Sequence, residues 1–148
     1  VIFASEDIGM ADPNALLQAI ATRDAVQFIG MPECALSLTQ AVIYMSMAPK
    51  SNAVYKAYSQ VSSLVKNGIS HPVPMNIRNA PTKMMKQLGY GKDYKYAHDS
   101  EQGVAAMSCL PNAIKDKRFY LPTERGLEKR YKDRLESILK WRNEKESK

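Results

Sequence analysis

Between Val73 and Asp99 the chain reads VPMNIRNAPTKMMKQLGYGKDYKYAHD. Five cationic side chains, Arg78, Lys83, Lys86, Lys92 and Lys95, are interleaved there with Tyr90, Tyr94 and Tyr96, and no carboxylate occurs before Asp93. Cations neutralise phosphates and tyrosine rings stack on bases, so this mixture suits a polyanion such as nucleic acid. The candidate DNA-binding residues are therefore Arg78, Lys83, Lys86, Lys92, Lys95, Tyr90 and Tyr94, with Arg78, Lys83 and Lys86 ranked ahead of any tyrosine. A solvated basic loop with its tyrosines tucked against a core accounts for the same residues. Spacing alone does not choose between the two.

Other chemistry finds little support. There is no GxxxxGK[ST] or GxGxxG phosphate loop and no GxSxG nucleophile elbow. Gly89-Tyr90-Gly91 reads as a turn, and His98-Asp99 are adjacent rather than spaced as a triad. Glu6 and Asp7 are also adjacent, so on a helix they point in different directions and read as surface charge. Cys34 and Cys109 lie in apolar surroundings without a CxxC neighbour, where a thiol behaves as a small hydrophobe, and a reduced, cytoplasmic setting is expected. His71 and His98 have no ligand-like spacing, so no metal site is expected. No catalytic centre is expected in this sequence.

The elements that must carry these residues are mostly helices. Ile2 to Ile8 reads as a helix already under way without a cap. Asp12 is an N-cap, Pro13 a first helical residue and Gly30 a stop. Between them Leu16, Leu17, Ile20 and Ala21 form an apolar stripe. Pro32 opens a second helix, with Glu33 in its first turn, that ends at Pro49. Its Leu36, Leu38, Thr39, Val42, Ile43 and Met47 surround the axis and predict a central, buried helix. Ser51 caps a third helix, with the stripe Val54, Tyr58, Val61 and Val65, which Gly68 closes. The short connections predict antiparallel helical hairpins.

Prolines at 72, 74, 81, 111 and 122 and glycines at 89, 91 and 103 then break the chain into short pieces. His71 to Pro74 is extended, because residues preceding proline avoid the helical region. Asn79 is read as the cap of a short helix over Thr82–Leu88, with Gly89 as its left-handed stop. Tyr94-Lys95-Tyr96 and Arg118 to Leu121 alternate large and polar groups and can pair as one small two-stranded β ribbon. A last helix is predicted from about Thr123 to Arg142, with the stripe Leu127, Tyr131, Leu135, Ile138 and Leu139. Glu128–Lys132 and Glu136–Lys140 are its favourable i, i+4 pairs, Trp141 its packing anchor, and Asn143 to Lys148 a frayed end. The fold class is mainly α: a helical bundle with an irregular Pro/Gly-rich segment. Residues 1–68 form the bundle subdomain. Residues 69–148 form the irregular segment and C-terminal helix, expected to pack on the first as one domain.

Length and charge fit this division. A chain of 148 residues supports one well-packed domain or two small ones. The net charge is +6, yet residues 1–114 contribute only +1 and residues 115–148 contribute +5. Basicity is thus confined to the tail and the Arg78–Lys95 stretch, and localised charge steers anions better than a diffuse excess. Mixed-sign helical tails also serve simply as solvated faces. No apolar run reaches the ~18 residues of a membrane span, and the opening residues do not read as a signal peptide. Val1 stands where an initiator Met would, and the first helix lacks a cap, so a piece of a longer chain is expected.

Four blocks in order, SEDIGMADPNAL, AVIYMSMAPKSNAVYKAY, VPMNIRNAPTKMMKQLGYGKDYKYAHD and RFYLPTERGLE, closely resemble the C-terminal part of the bacterial replication-associated recombination protein A family, also called MgsA. Its members are AAA+ ATPases related to clamp loaders and to the eukaryotic Werner helicase-interacting protein. The resemblance runs from about Val1 to Arg142. It implies a clamp-loader-collar-like helical region that holds a homotetramer together. It implies a complete protein that hydrolyses ATP in a DNA-dependent way at stalled or damaged replication forks, in DNA repair and recombination. ATP and magnesium would be bound N-terminal to this region, which itself needs no cofactor. Implied partners are single-stranded or forked DNA and single-stranded DNA-binding protein, in the cytoplasm at the nucleoid. Where the family usually has a Gln-x-Tyr-Leu-Pro stretch, this chain has Met107-Ser108-Cys109-Leu110-Pro111, a departure that bears on that loop alone. Two functions are thus carried forward: an oligomerisation collar, and a nucleic-acid-binding module built on Arg78 to Lys95.

Overall fold

The computed structural model describes residues 1–68, 70–100 and 102–146. The fold is mainly α. A π-type turn over Ala4–Ile8 runs into a 3-10 turn over Gly9–Ala11, followed by α1 (Asn14–Ile29), α2 (Ala35–Met47) and α3 (Ala53–Asn67). Short 3-10 turns at Met75–Ile77, Ala97–Asp99 and Asn112–Ile114 flank a five-residue α4 (Lys83–Gln87), and α5 covers Glu128–Glu146. The chain divides into two compact units. One comprises Val1–Lys66 with Phe119–Asp133, the other Asn67–Arg118 with Arg134–Lys148. The first six residues of α5 thus count with the first unit and the rest with the second.

The punctuation of the first unit follows from its residue types. Asp12 Oδ1 accepts the Asn14 amide at 3.1 Å, so Pro13 sits where a missing N–H costs nothing. Asp12 Oδ2 accepts the Tyr44 hydroxyl at 2.7 Å, tying the start of α1 to α2. That hydrogen bond, with partial burial and the Asp12 charge, raises the Tyr44 pKa. α1 ends at Gly30 and α2 at Ala48, just before Pro49. The Lys50 ammonium donates to the carbonyls of Met45, Ser46 and Ala48, placing a cation where the dipole of α2 is negative.

The core of this unit is made of small residues. Ala4, Ile8, Ala15, Ala19 and Ala48 form one buried cluster, with Tyr44 and Met45 packed partly against it. α1 packs on α2 and on the Ala4–Ile8 turn. Ala15 and Ala19 are four apart, so one face of α1 is a strip of methyl groups that admits a neighbouring backbone closely. The large apolar side chains lie elsewhere. Leu16 and Leu17 of the expected α1 stripe are exposed, and of α2 only Ala41 is buried. α2 is therefore not the buried central helix its apolar content predicts. It also starts later than Pro32, because residues 31–34 form a turn closed by Cys34 N–H to the Gly30 carbonyl at 3.0 Å. The α3 stripe is likewise outside, with Tyr58 and Val65 exposed and only Ala53 of that helix buried.

Residues 119–128 close the first unit. Glu128, with 0% exposure, receives four hydrogen bonds: from Ser51 Oγ at 2.6 Å, the Thr123 amide at 2.8 Å, Thr123 Oγ1 at 2.6 Å and the Tyr120 hydroxyl at 2.9 Å. Ser51 Oγ also accepts the Ala53 amide at 3.3 Å, so it caps α3 as its residue type predicts. Glu128 does not form the expected pair with Lys132, whose ammonium reaches Glu124 instead. Its side chain is turned inward as the first residue of α5, which begins five residues later than predicted and continues to Glu146. The fraying expected of Asn143 to Lys148 is thus not seen through Glu146, and residues 147–148 lie outside the described residues. Gly126 adopts φ +53, and a Cβ there would collide with the Ala11 carbonyl oxygen and come within 2.6 Å of the Pro49 ring. Only glycine lets the chain pass there, where the Leu127 amide donates to the Ala11 carbonyl at 2.8 Å.

The second unit is less regular. His71 to Pro74 lack regular structure, as four residues around two prolines should. Among the described residues there is no strand, so the two-stranded ribbon is not formed. Asp93 takes φ +62 and the Tyr94 amide turns back to the Gly91 carbonyl at 3.3 Å, while Lys95 N–H meets Met107 Sδ at 3.4 Å. These contacts spend the amides a ribbon would need. On α5 it is Leu135, Ile138, Leu139 and Trp141 that are half-buried.

Candidate nucleic-acid interface

The cap of α4 explains how its two lysines are presented. Thr82 Oγ1 accepts the Met85 amide at 3.2 Å, which makes Thr82 the N-cap in place of Asn79. Thr82 is extended, at φ −111 and ψ 156, the cap conformation. The helix then stops at Gly89 with φ +83, as its residue type predicts. Lys83 and Lys86 are three apart and share one side of α4, where both are exposed. No acidic residue lies in the helix.

The remaining candidates separate into two settings. Arg78 Nε donates to the Val73 carbonyl at 2.6 Å, and its guanidinium lies 5.2 Å from the centre of the Tyr90 ring. Each occupies the other, and both are half-buried. This cation–π pair anchors the Gly89–Gly91 turn, where the Gly91 amide donates to the Met75 carbonyl at 2.8 Å. Lys92, Tyr94 and Lys95 are exposed. Tyr94 and Lys95 border a cleft of about 630 Å³, which also takes in Tyr96, Asp99, Trp141 and Lys145. Sequence reading did not include Tyr96, Trp141 and Lys145 in the site. The signal for two of them is present: Trp141 and Lys145 are four apart on α5 and so share a face.

The chemistry open to this surface is binding. Lys83, Lys86, Lys92 and Lys95 form no ion pair among the described residues. Also among the described residues, no three His, Cys, Asp or Glu side chains converge as a metal site requires. Cys34 is buried with its thiol 3.2 Å from Met31 Sδ, whereas Cys109 is exposed despite its apolar sequence neighbours. No described helix is long and apolar enough to cross a membrane.

A second surface lies on the first unit. Phe28 is 92%, Leu36 81% and Met47 82% exposed, and Ile29, Val42 and Ile43 of α1 and α2 and Met31 of the turn between them are exposed too. From Ala35 to Met47 there is no charged residue.

The chain is 50% identical over 92% of its length to replication-associated recombination protein A of Coxiella burnetii, covering 31% of that protein. It is 44% identical over 89% of its length to the Escherichia coli K12 protein of the same name, covering 30% of it. It is also 45% identical over 81% of its length to ATPase WRNIP1 of Dictyostelium discoideum, covering 14% of it. The chain therefore spans about a third of the bacterial relatives. Residues 1–139 match the family described as MgsA AAA+ ATPase C terminal, and the chain belongs to that family.

Proposed function

We propose that this chain is the oligomerisation domain, assembling as a homotetramer, of a DNA-dependent AAA+ ATPase that acts in replication-fork maintenance and recombination. In this reading ATP and magnesium are bound by another part of the protein. The chain itself performs no catalysis but sets the number and placement of ATPase modules, in the cytoplasm at the nucleoid. The observation that carries it is the exposed apolar residues of α1 and α2. Burying large apolar side chains is favourable by about 1.5–3 kcal/mol each, and a charge-free helix left in water forgoes that gain. A second copy is the occupant we commit to: a self-complementary apolar patch closes on itself in a symmetric assembly. Depletion of charge and abundance of methionine, as in α2, also characterise interface cores.

Sedimentation equilibrium tests this. The expected mass is that of four copies, falling to a smaller species for Ile43→Asp with helix content unchanged. A chain that stays monomeric at tens of micromolar sinks the reading.

A second function, direct binding of single-stranded or forked DNA, is supported by a different observation: Lys83, Lys86, Lys92 and Lys95 are exposed on one irregular unit whose tyrosines Tyr94 and Tyr96 are also exposed. The two functions are compatible, since an assembly presents such patches in several copies. Single-stranded DNA-binding protein is a further proposed partner, supported by family membership alone.

A further inference from the structure

The cleft of the second unit combines features that neither helix packing nor plain anion attraction requires. Its volume of about 630 Å³ is within the range of sites that hold small organic molecules. Tyr94, Tyr96 and Trp141 supply three aromatic rings, Lys95 and Lys145 two ammonium groups, and Asp99 a carboxylate. Tyr94 is 54% and Tyr96 56% exposed, so the rings are presented to solvent rather than used as core. The Tyr96 ring is braced by that of His98, with centroids 5.0 Å apart and planes inclined by 48°. Ala106, which is buried, and the neighbouring Val104 and Ala105 give the cleft an apolar side.

The charges narrow the ligand. A bare anion would meet Asp99 and leave the rings without a role, whereas a cation would meet two lysines. A nucleotide satisfies all three features. Its base stacks on an aromatic face, its ring or exocyclic N–H groups donate to a carboxylate, and its phosphate pairs with ammonium groups. Resting on the DNA-binding reading, we propose that this cleft holds one nucleotide of a single strand. The base lies against the Tyr94, Tyr96 and Trp141 side chains, Asp99 accepts from its edge, and Lys95 and Lys145 take the adjoining phosphates. α4 lies outside the cleft and contributes only backbone attraction.

Trp141 is the single tryptophan of the chain and reports directly on stacking. The chain is titrated with an oligodeoxycytidylate of about 12 nucleotides, with an abasic strand of equal charge and with poly-glutamate, following tryptophan emission and affinity. The oligonucleotide should quench Trp141 and bind about 5- to 100-fold more tightly than the abasic strand. Tyr94→Ala should erase that margin and Tyr94→Phe restore it, both with unchanged circular dichroism. If all three polymers bind alike and Trp141 emission is unmoved, the cleft assignment falls while charge-driven DNA binding stands. Absence of any DNA binding overturns both.

Discussion

Glu128 has lost all contact with water, and a carboxylate so placed would ordinarily be pushed towards its neutral form. Burial acts in that direction here, but hydrogen bonds from Ser51, Thr123 and Tyr120 outweigh it and hold the carboxyl below its usual range. Tyr120 is driven the other way by its burial and by the Glu128 charge, so it remains a donor. The unfolded chain titrates Glu128 near pH ~4.3. With the folded value lower, its stabilising effect is complete above that pH and is lost as pH falls through the folded value. Glu128→Gln should cost about 1–3 kcal/mol near neutrality, through Ser51, Thr123 and Tyr120 groups left with a poorer acceptor. It should also flatten the acid limb, measured as urea midpoints from neutral pH down through the carboxylate range. An unaltered acid limb would remove Glu128 as its cause. Nothing in the spacing of TERGLE discloses this role. Glu128 sits four before Lys132, the arrangement of a surface ion pair, and only the inward turn of its side chain makes it a core residue.

Helices were legible from punctuation, while the faces they bury were not. Asp12, Gly30, Pro49, Ser51 and Gly89 end or begin elements as their backbone chemistry predicts. Asn79 and Thr82 are both good caps by type, and it is Thr82 that is extended with its hydroxyl on the Met85 amide. Thr82→Ala should raise hydrogen exchange at the Met85 amide by about fivefold, from a lost cap of ~1 kcal/mol. Asn79→Ala should leave that rate unchanged, and the reverse pattern would return the cap to Asn79. The burial error has one cause. Apolar periodicity weights Leu, Ile and Val over Ala, whereas α1, α2 and α3 bury Ala15, Ala19, Ala41 and Ala53 and keep most of their large apolar residues exposed. A stripe of large residues therefore marked the faces of α1 and α2 that remain open, the faces the proposed oligomerisation would use. Part of the candidate site was legible too: the basic residues from Lys83 to Lys95 are exposed as their polarity predicts. The cleft was not, because Trp141 and Lys145 reach it from more than forty residues away in sequence.

At the scale of the whole molecule, the net charge is +6 and the basic excess lies in the Arg78–Lys95 stretch and the tail. If the exposed lysines bind a single strand, each phosphate they neutralise should contribute about 0.7 to the slope of log affinity against log salt. Lys83→Ala with Lys86→Ala should reduce that slope by about 1.4, whereas Glu128→Gln should not change it. A salt-independent affinity would dismiss the lysines as contacts.

The first unit is discontinuous, being completed by residues 119–133, so it matures late during synthesis. While the ribosome adds residues 67–118, Ser51 has no Glu128 to accept its hydrogen bond, and Ala11 and Pro49 await Gly126. Through that interval, about as long as it takes to translate a third of the chain, Ser51, Ala11 and Pro49 stay without these partners.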